Sequence, residues 1–294
     1  MSTAAGIVID YLRTQAEVIA SRADDVAADA PDAVHRSRVA TRRSRSALRT
    51  FASLFKRKQV RALRAELAWH ADHLGGPRDA EVLKERLLTA LDTLPGDDEA
   101  GPVAERLSAA LDESHARAHA ALVESMQTER YPQLRDRLAR FVDDPPVRGS
   151  ARAAGVDALP GLLERAVRRV GRLTERAAET DDDPHRWHEV RKAAKAARYC
   201  SEALIPAFGD PAKTLAEAWE EVTEALGEFQ DTVVAEAYLA TAAVHASEAG
   251  ESPSGYLALI ALELRQRDEA LQRGRSALAA ARAVPLPERS AATG

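Results

Sequence analysis

One pattern is written twice in this chain. His35-x-x-Arg38-x-x-x-Arg42-x-x-Arg45 returns as His188-x-x-Arg191-x-x-x-Lys195-x-x-Arg198, at identical spacing and an offset of 153 residues. A second element follows each copy in the same order. Leu74-Gly75-Gly76-Pro77-Arg78-Asp79 is matched by Leu226-Gly227-Glu228-Phe229-Gln230-Asp231, at an offset of 152. Two motifs repeated in order at nearly one offset predict an internally duplicated chain. The expected object is two similar halves, with a pseudo-two-fold pair turning both basic segments towards a shared cleft.

The period of the pattern sets the secondary structure. At about 100° per residue, His35, Arg38, Arg42, Arg45 and Arg49 fall within an arc of about 80°. The row is roughly 21 Å long at about 1.5 Å of rise per residue. Val34, Ala40, Ala47, Leu48 and Phe51 lie mostly on other faces, free to meet a core. Like charges at i,i+3 and i,i+4 destabilise a helix. Such a row therefore implies an anionic partner, or acids brought in from neighbouring helices. Acids within the run do not relieve it. Between His35 and Arg64 stand eleven Lys/Arg and no Asp or Glu. The whole chain has a formal net charge of -5, so those eleven positive charges leave -16 for the rest.

The remaining sequence reads as helix throughout, with no credible strand. Aromatics are 4% and the chain is 45% hydrophobic over 294 residues, which favours helix over sheet and allows a sizeable core. Helices are expected at 3–28, from Pro31 to about Phe55, and at 59–74. Gly75-Gly76-Pro77 reads as a stop and restart. Further helices follow to Leu94, then at 99–127 and 130–142, with a turn at Pro95-Gly96-Asp97-Asp98. Asp143 to Ser150, containing Pro145-Pro146, is the most linker-like stretch. The second half has expected helices at 155–179, 184–206, 210–226, 228–249 and from Ser252-Pro253 onwards. Asp183-Pro184 places an Asp at an N-cap and a proline at N1. The domain reading is 1–142 and 151–283, a linker at 143–150 and a frayed tail at 284–294.

These residues resemble the CHAD family, the conserved histidine α-helical domain. The resemblance spans about residues 5–280. It implies two four-helix bundles around a basic central cavity, binding of inorganic polyphosphate and association with polyphosphate granules. Carried over by position, His35, Arg38, Arg42, Arg45 and Arg49 match the first basic helix. His188, Arg191, Lys195 and Arg198 match the second. Arg43 and Lys192 sit about 40–80° off the rows and are placed on the cleft walls. Lys56 is added as a point charge. Asp79, Asp231 and Tyr199 are supporting residues. The halves differ: Lys195 answers Arg42, Glu202 answers Arg49 and Gln230 answers Arg78. The second half is accordingly expected to be the weaker binder.

Polyphosphate offers charge and oxygen acceptors and no base edges. Arginine suits it because its planar fork grips phosphate oxygens bidentately. His35 and His188 have three open roles: donation to phosphate, orientation of a neighbouring arginine, or metal ligation. Nearby arginines disfavour the last. His70/His73 and His115/His119 share helix faces, but two ligands do not make a zinc site, and they read as surface or packing residues. Trp69, Trp187 and Trp219 read as core or interface, with Trp187 bracing His188.

The leading expectation is a non-catalytic polyphosphate-binding protein without a cofactor. A polyphosphate or triphosphate hydrolase is the alternative. The chain lacks an E-x-E-x-K signature, a P-loop and H-E-x-x-H. Nucleic-acid binding is disfavoured by the scarcity of stacking aromatics near the rows. Cys200, the only cysteine, cannot form an internal disulfide, and no run approaches the ~20 apolar residues of a membrane span. With no signal-peptide pattern at the N-terminus, a soluble cytoplasmic protein is expected.

Overall fold

The computed structural model of the chain describes residues 3–94, 100–180 and 182–288. The turn expected at 95–98 lies outside the described residues, as do Asp181 and 289–294. The described residues form ten α-helices and no strand. The first half holds α1 (Ala4–Ser21), the short α2 (Ala23–Ala27), the basic α3 (Ala33–Thr50), the long α4 (Arg57–Leu91), α5 (Ala100–Gln127) and α6 (Arg130–Asp143). The second holds α7 (Leu159–Ala178), the basic α8 (Pro184–Phe208), the long α9 (Asp210–Glu248) and α10 (Ser254–Ala283). Each half has a basic helix followed by a long helix and a returning one, and the first half adds α2 and α6. No helix among the described residues is long and apolar enough to cross a membrane.

Local signals explain several ends. The Thr3 hydroxyl caps α1 by accepting from Gly6 N at 3.0 Å. The Asp183 carboxylate caps α8 by accepting from His185 N at 2.9 Å, with Pro184 at the first helical position. The first helix ends at Ser21, earlier than its periodicity suggested, because the chain turns at Arg22 into α2. Pro31 precedes α3; Asp32, at φ 65°, is the residue that opens it.

The Leu-Gly elements do not stop their helices. α4 runs unbroken through Gly75-Gly76-Pro77, and α9 runs unbroken through Leu226-Gly227. The reason is tertiary. A Cβ on Gly76 would lie 2.9 Å from the Ala118 Cβ of α5, so the glycine permits close helix contact. Leu74, Pro77 and Ala80 are buried beside it. Packing of this kind overrides a propensity cost of about 1 kcal/mol for a helical glycine, and offsets the proline's lost hydrogen bond.

The two halves share one core. A single apolar cluster takes in Leu12 of α1, Leu48 of α3, Leu67 of α4, Leu163 of α7, Trp187 of α8, Trp219 of α9 and Leu278 of α10. A second cluster joins the far ends of the long hairpins through Leu87, Leu107, Leu239 and Leu259. The stretch at 143–150 is pinned to the α3–α4 junction. Lys56 N donates to Pro146 O at 2.8 Å, and Arg148 N donates to Leu54 O at 3.0 Å. At the C-terminal end, Val284 and Leu286 pack against the main core. The frayed tail expected there does not begin at Val284.

The histidine pairs are structural. His115 donates Nδ1–H to the Pro77 carbonyl at 3.1 Å and Nε2–H to the Asp29 carboxylate at 2.8 Å. Two acceptors, one at each ring nitrogen, favour the protonated form of this ring. Asp29 and the Pro77 carbonyl work to raise its pKa, against desolvation. His119 donates to Val26 O at 2.8 Å. His70 is fully buried against Tyr131, with its pKa pushed down to about 4 by burial.

Candidate functional site

The faces of α3, α4, α8 and α9 meet around a cleft of about 590 Å3. Both basic helices contribute to it. From α3 come His35, Arg38 and Arg42; from α8 come His188, Arg191, Lys195, Arg198 and Tyr199. The long helices add Arg78, Asp79 and Arg86 on one side, and Glu224, Glu228, Gln230 and Asp231 on the other. The repeated elements thus converge on one space. Each Leu-Gly element sets an aspartate opposite an arginine row, and Gly227 leaves room for Arg191.

Most of the cleft cations have carboxylate partners. Arg38 binds Asp79 at 2.8 Å. Arg198 meets Glu202 at 3.1 Å and also pairs with Glu220. Arg86 is held by Glu228 and the fully buried Glu263, each at 2.7 Å. Arg78 pairs along its own helix with Glu81 at 2.9 Å. Arg42, Arg191 and Lys195 are different. Among the described residues none of the three has a carboxylate at ion-pair distance, and the Nε atoms of Arg42 and Arg191 are buried without a hydrogen-bond partner. A buried polar group left unpaired costs on the order of 1–3 kcal/mol. The floor of the cleft therefore carries unanswered positive charge.

The electrostatics record that crowding. Burial, then Arg191, Arg42 and Arg38, push the Lys195 amine down to about 5, with Asp231 opposing them. Burial likewise lowers Arg191, opposed by Asp231 and reinforced by Arg42. His35 is lowered by burial and then by Arg78. His188 is lowered by burial and then by Lys192, while its Nδ1 donates to Gln230 Oε1 at 2.9 Å. Asp231 is raised by its own burial, against the pull of Arg191 and Arg86. Tyr199 is buried at the cleft wall, with the guanidinium carbons of Arg42, Arg43 and Arg198 5.8, 5.6 and 5.8 Å from its ring centroid. A buried ring face among three arginines fixes their direction without supplying a counter-charge.

Five expected residues lie elsewhere. Arg43 turns away to pair with Glu202 at 3.0 Å, because its position on α3 faces α8 below the cleft. Arg45 and Arg49 continue the α3 row beyond the cleft; Arg49 lines a separate groove against α7. Lys56 falls after the end of α3 and lines a pocket with Arg137, Arg140 and Arg152. Lys192 is exposed and pairs with Glu189 one turn back. Conversely, Arg78, Arg86 and Gln230 belong to the cleft and were not placed there by the sequence. A signal existed for Arg86: Asp79, Val82, Leu83 and Arg86 follow one another at helical spacing and all line the cleft. Trp187 is buried beneath the start of α8, its indole donating to Asp182 Oδ1 at 3.3 Å. Among the described residues, no group of three or more His, Cys, Asp or Glu is arranged to hold a metal ion.

Comparison with known proteins gives the family. The CHAD domain profile matches residues 10–240. This chain belongs to the CHAD domain family. Among solved structures, PptA from Streptomyces chartreusis superposes with a TM-score of 0.77 at 26% identity, covering 95% of this chain and 99% of that one. The CHAD domain from the plant Ricinus communis gives 0.71 at 23% identity, over 98% and 94%, and supports the all-α fold. The Mycobacterium tuberculosis protein Rv2226 is 34% identical over 197 residues, which is 65% of this chain. The same alignment covers 36% of that protein, so the chain spans about a third of the length of the curated relatives it matches.

Proposed function

We propose that this CHAD domain binds inorganic polyphosphate in the cleft between α3, α4, α8 and α9, without chemistry on it, and that binding carries the protein to polyphosphate granules in the cytoplasm. One observation carries the reading: Arg42, Arg191 and Lys195 converge on the cleft with no carboxylate partner among the described residues. A chain of phosphates supplies what is missing, a run of oxyanions spaced closely enough to meet several cations at once. The arginines grip phosphate oxygens through planar forks, and Lys195 adds a point charge once the arriving anion raises its pKa. His35 of α3 and His188 of α8 line the same cleft, and an arriving anion would help to protonate both.

The surrounding ion pairs suit a binding role. Asp79, Glu228 and Glu202 hold Arg38, Arg86 and Arg198 in place, so these three present fixed donors while the unpaired three supply net attraction. Binding of labelled long-chain polyphosphate at about 0.15 M salt, where the Debye length is roughly 8 Å, tests the proposal. Tight binding displaced by unlabelled polyphosphate, and not by orthophosphate, heparin or DNA at equal charge, is the expected result. Equal displacement by every polyanion would overturn it. Phosphate release from polyphosphate in the presence of divalent cations would replace the binding reading with a hydrolase.

A further inference from the structure

The α3 row does not end at the cleft. Arg49, in the last turn of α3, is half-buried and lines a second groove of about 200 Å3 on the far side of α8. Its walls are Arg165, Ala166 and Arg169 of α7, Thr50 of α3, and Ala193 and Ala196 of α8. The small alanines of α8 form its floor, whereas Arg191, Lys195 and Arg198 of the same helix face the cleft. The two spaces are thus separated by the body of α8.

This groove is more one-sided in charge than the cleft, since no acid lines it. Arg49 feels Arg169, Arg64 and Arg45 as repelling neighbours. On α7, Arg165, Arg169, Arg172 and Arg176 fall within an arc of about 60°, a fourth-turn row like that of α3. The acids of α7 are spent on other faces: Glu164 pairs with Arg168, and Glu175 faces Arg282 at 3.9 Å. Among the described residues, Arg45, Arg49, Arg64, Arg165 and Arg169 have no ion pair. The Arg165 Nη1 donates only to its own helix, to Gly161 O at 3.1 Å.

We propose that the groove between the C-terminal turn of α3 and the middle of α7 is a second, independent oxyanion site, taking phosphoryl groups through Arg49, Arg165 and Arg169. It rests on the polyphosphate reading for its choice of ligand, and on its own residues for its existence. The phosphoryl groups come either from a further stretch of a long polyphosphate chain or from a short free phosphate. In either case three guanidinium forks converge on a space large enough for one or two phosphate units and too small for a nucleobase with its sugar.

Calorimetric titration of the full chain with inorganic tripolyphosphate tests this. The unmodified protein should bind two molecules. Arg165 and Arg169 are exposed, so R165E/R169E, or the milder R165Q/R169Q, keeps the fold by circular dichroism and should bind one. The cleft variant R42E/K195M should also bind one, and combining both sets should abolish binding. Repeating the titration with long-chain polyphosphate separates the sources: one chain bridging both sites loses at least about tenfold in affinity in R165E/R169E, while a free-phosphate site leaves long-chain affinity unchanged. A single tripolyphosphate per unmodified protein that R165E/R169E still binds, or two per R165E/R169E, overturns the groove site. Loss of binding in the groove variant alone, with the cleft variant unaffected, would instead remove the cleft reading and leave the groove.

Discussion

The Arg191 guanidinium lies against the backbone of Gly227, where a Cβ would sit 2.9 Å from its Nη2 and 3.4 Å from its Nε. The second Leu-Gly element thereby shapes the cleft: the missing side chain on α9 is the space that lets an α8 arginine reach the floor. Gly227→Ala separates binding from folding. Alanine in a helix interior gains roughly 0.5–1 kcal/mol over glycine, which offsets the crowding when the arginine swings out. Thermal unfolding should move by less than about 3 °C, while polyphosphate affinity falls roughly tenfold. Unchanged affinity in G227A would mean that Arg191 is not held at the floor by this contact.

Lys195 sets stability against binding. Its amine is half-buried among Arg191, Arg42 and Arg38 and pushed down to about 5. Between about 5 and the ordinary 10.5, the unfolded chain holds a proton there that the folded chain does not. This one group therefore makes stability rise with pH across that window. Lys195→Met removes the titrating amine and with it the slope. With no proton to give up on folding, the variant should be more stable by about 1 kcal/mol or more, or roughly 2–4 °C near neutral pH. The same variant should bind polyphosphate about tenfold more weakly. A variant that is both less stable and equally tight would show the lysine to be a structural residue.

The basic face of α3 was legible because charge and period coincide: His35, Arg38 and Arg42 line the cleft as the spacing places them. His188, Arg191 and Lys195 of the second copy line the same cleft. The path of the row beyond Arg42 was not legible. Where α8 crosses α3 is decided by core packing, with Cys200 against Ser46 and Ala197 buried nearby, and that crossing divides the row between two spaces. Gly75-Gly76-Pro77 was misread as a stop for a similar reason. Local propensity carries the breaker signal, but the benefit of a glycine comes from Ala118, about forty residues further on. Arg86 escaped notice because its partners Glu228 and Glu263 are remote in sequence.

Residues outside the cleft should behave as bystanders. Lys56 lines a pocket with Arg137 and Arg140, and Lys192 is exposed and already paired with Glu189. Charge reversal at either, K56E or K192E, acts on a cleft ligand only through screened distance. At about 0.15 M salt each should change polyphosphate affinity by less than roughly threefold. R42E should cost more than about tenfold and reduce the steepness with which affinity falls as salt rises. Equal losses from all three would point to a diffuse basic surface in place of a defined site.

Binding should take up protons. In the free protein Lys195, His35 and His188 are all held below their ordinary values, each by burial first and by neighbouring cations next. A bound polyanion adds negative charge beside each, which raises their pKa values. At any pH between the free and bound values, complex formation draws in a fraction of a proton per group, so affinity rises as pH falls from 8 towards 6. Titrations in buffers of different ionisation enthalpy report that uptake directly. Lys195→Arg supplies a cation that stays charged throughout, and should bind at least as tightly at pH 8 with a flatter pH profile. Proton release on binding, or a profile in K195R as steep as in the unmodified protein, would assign the charge at the cleft floor to groups other than this lysine.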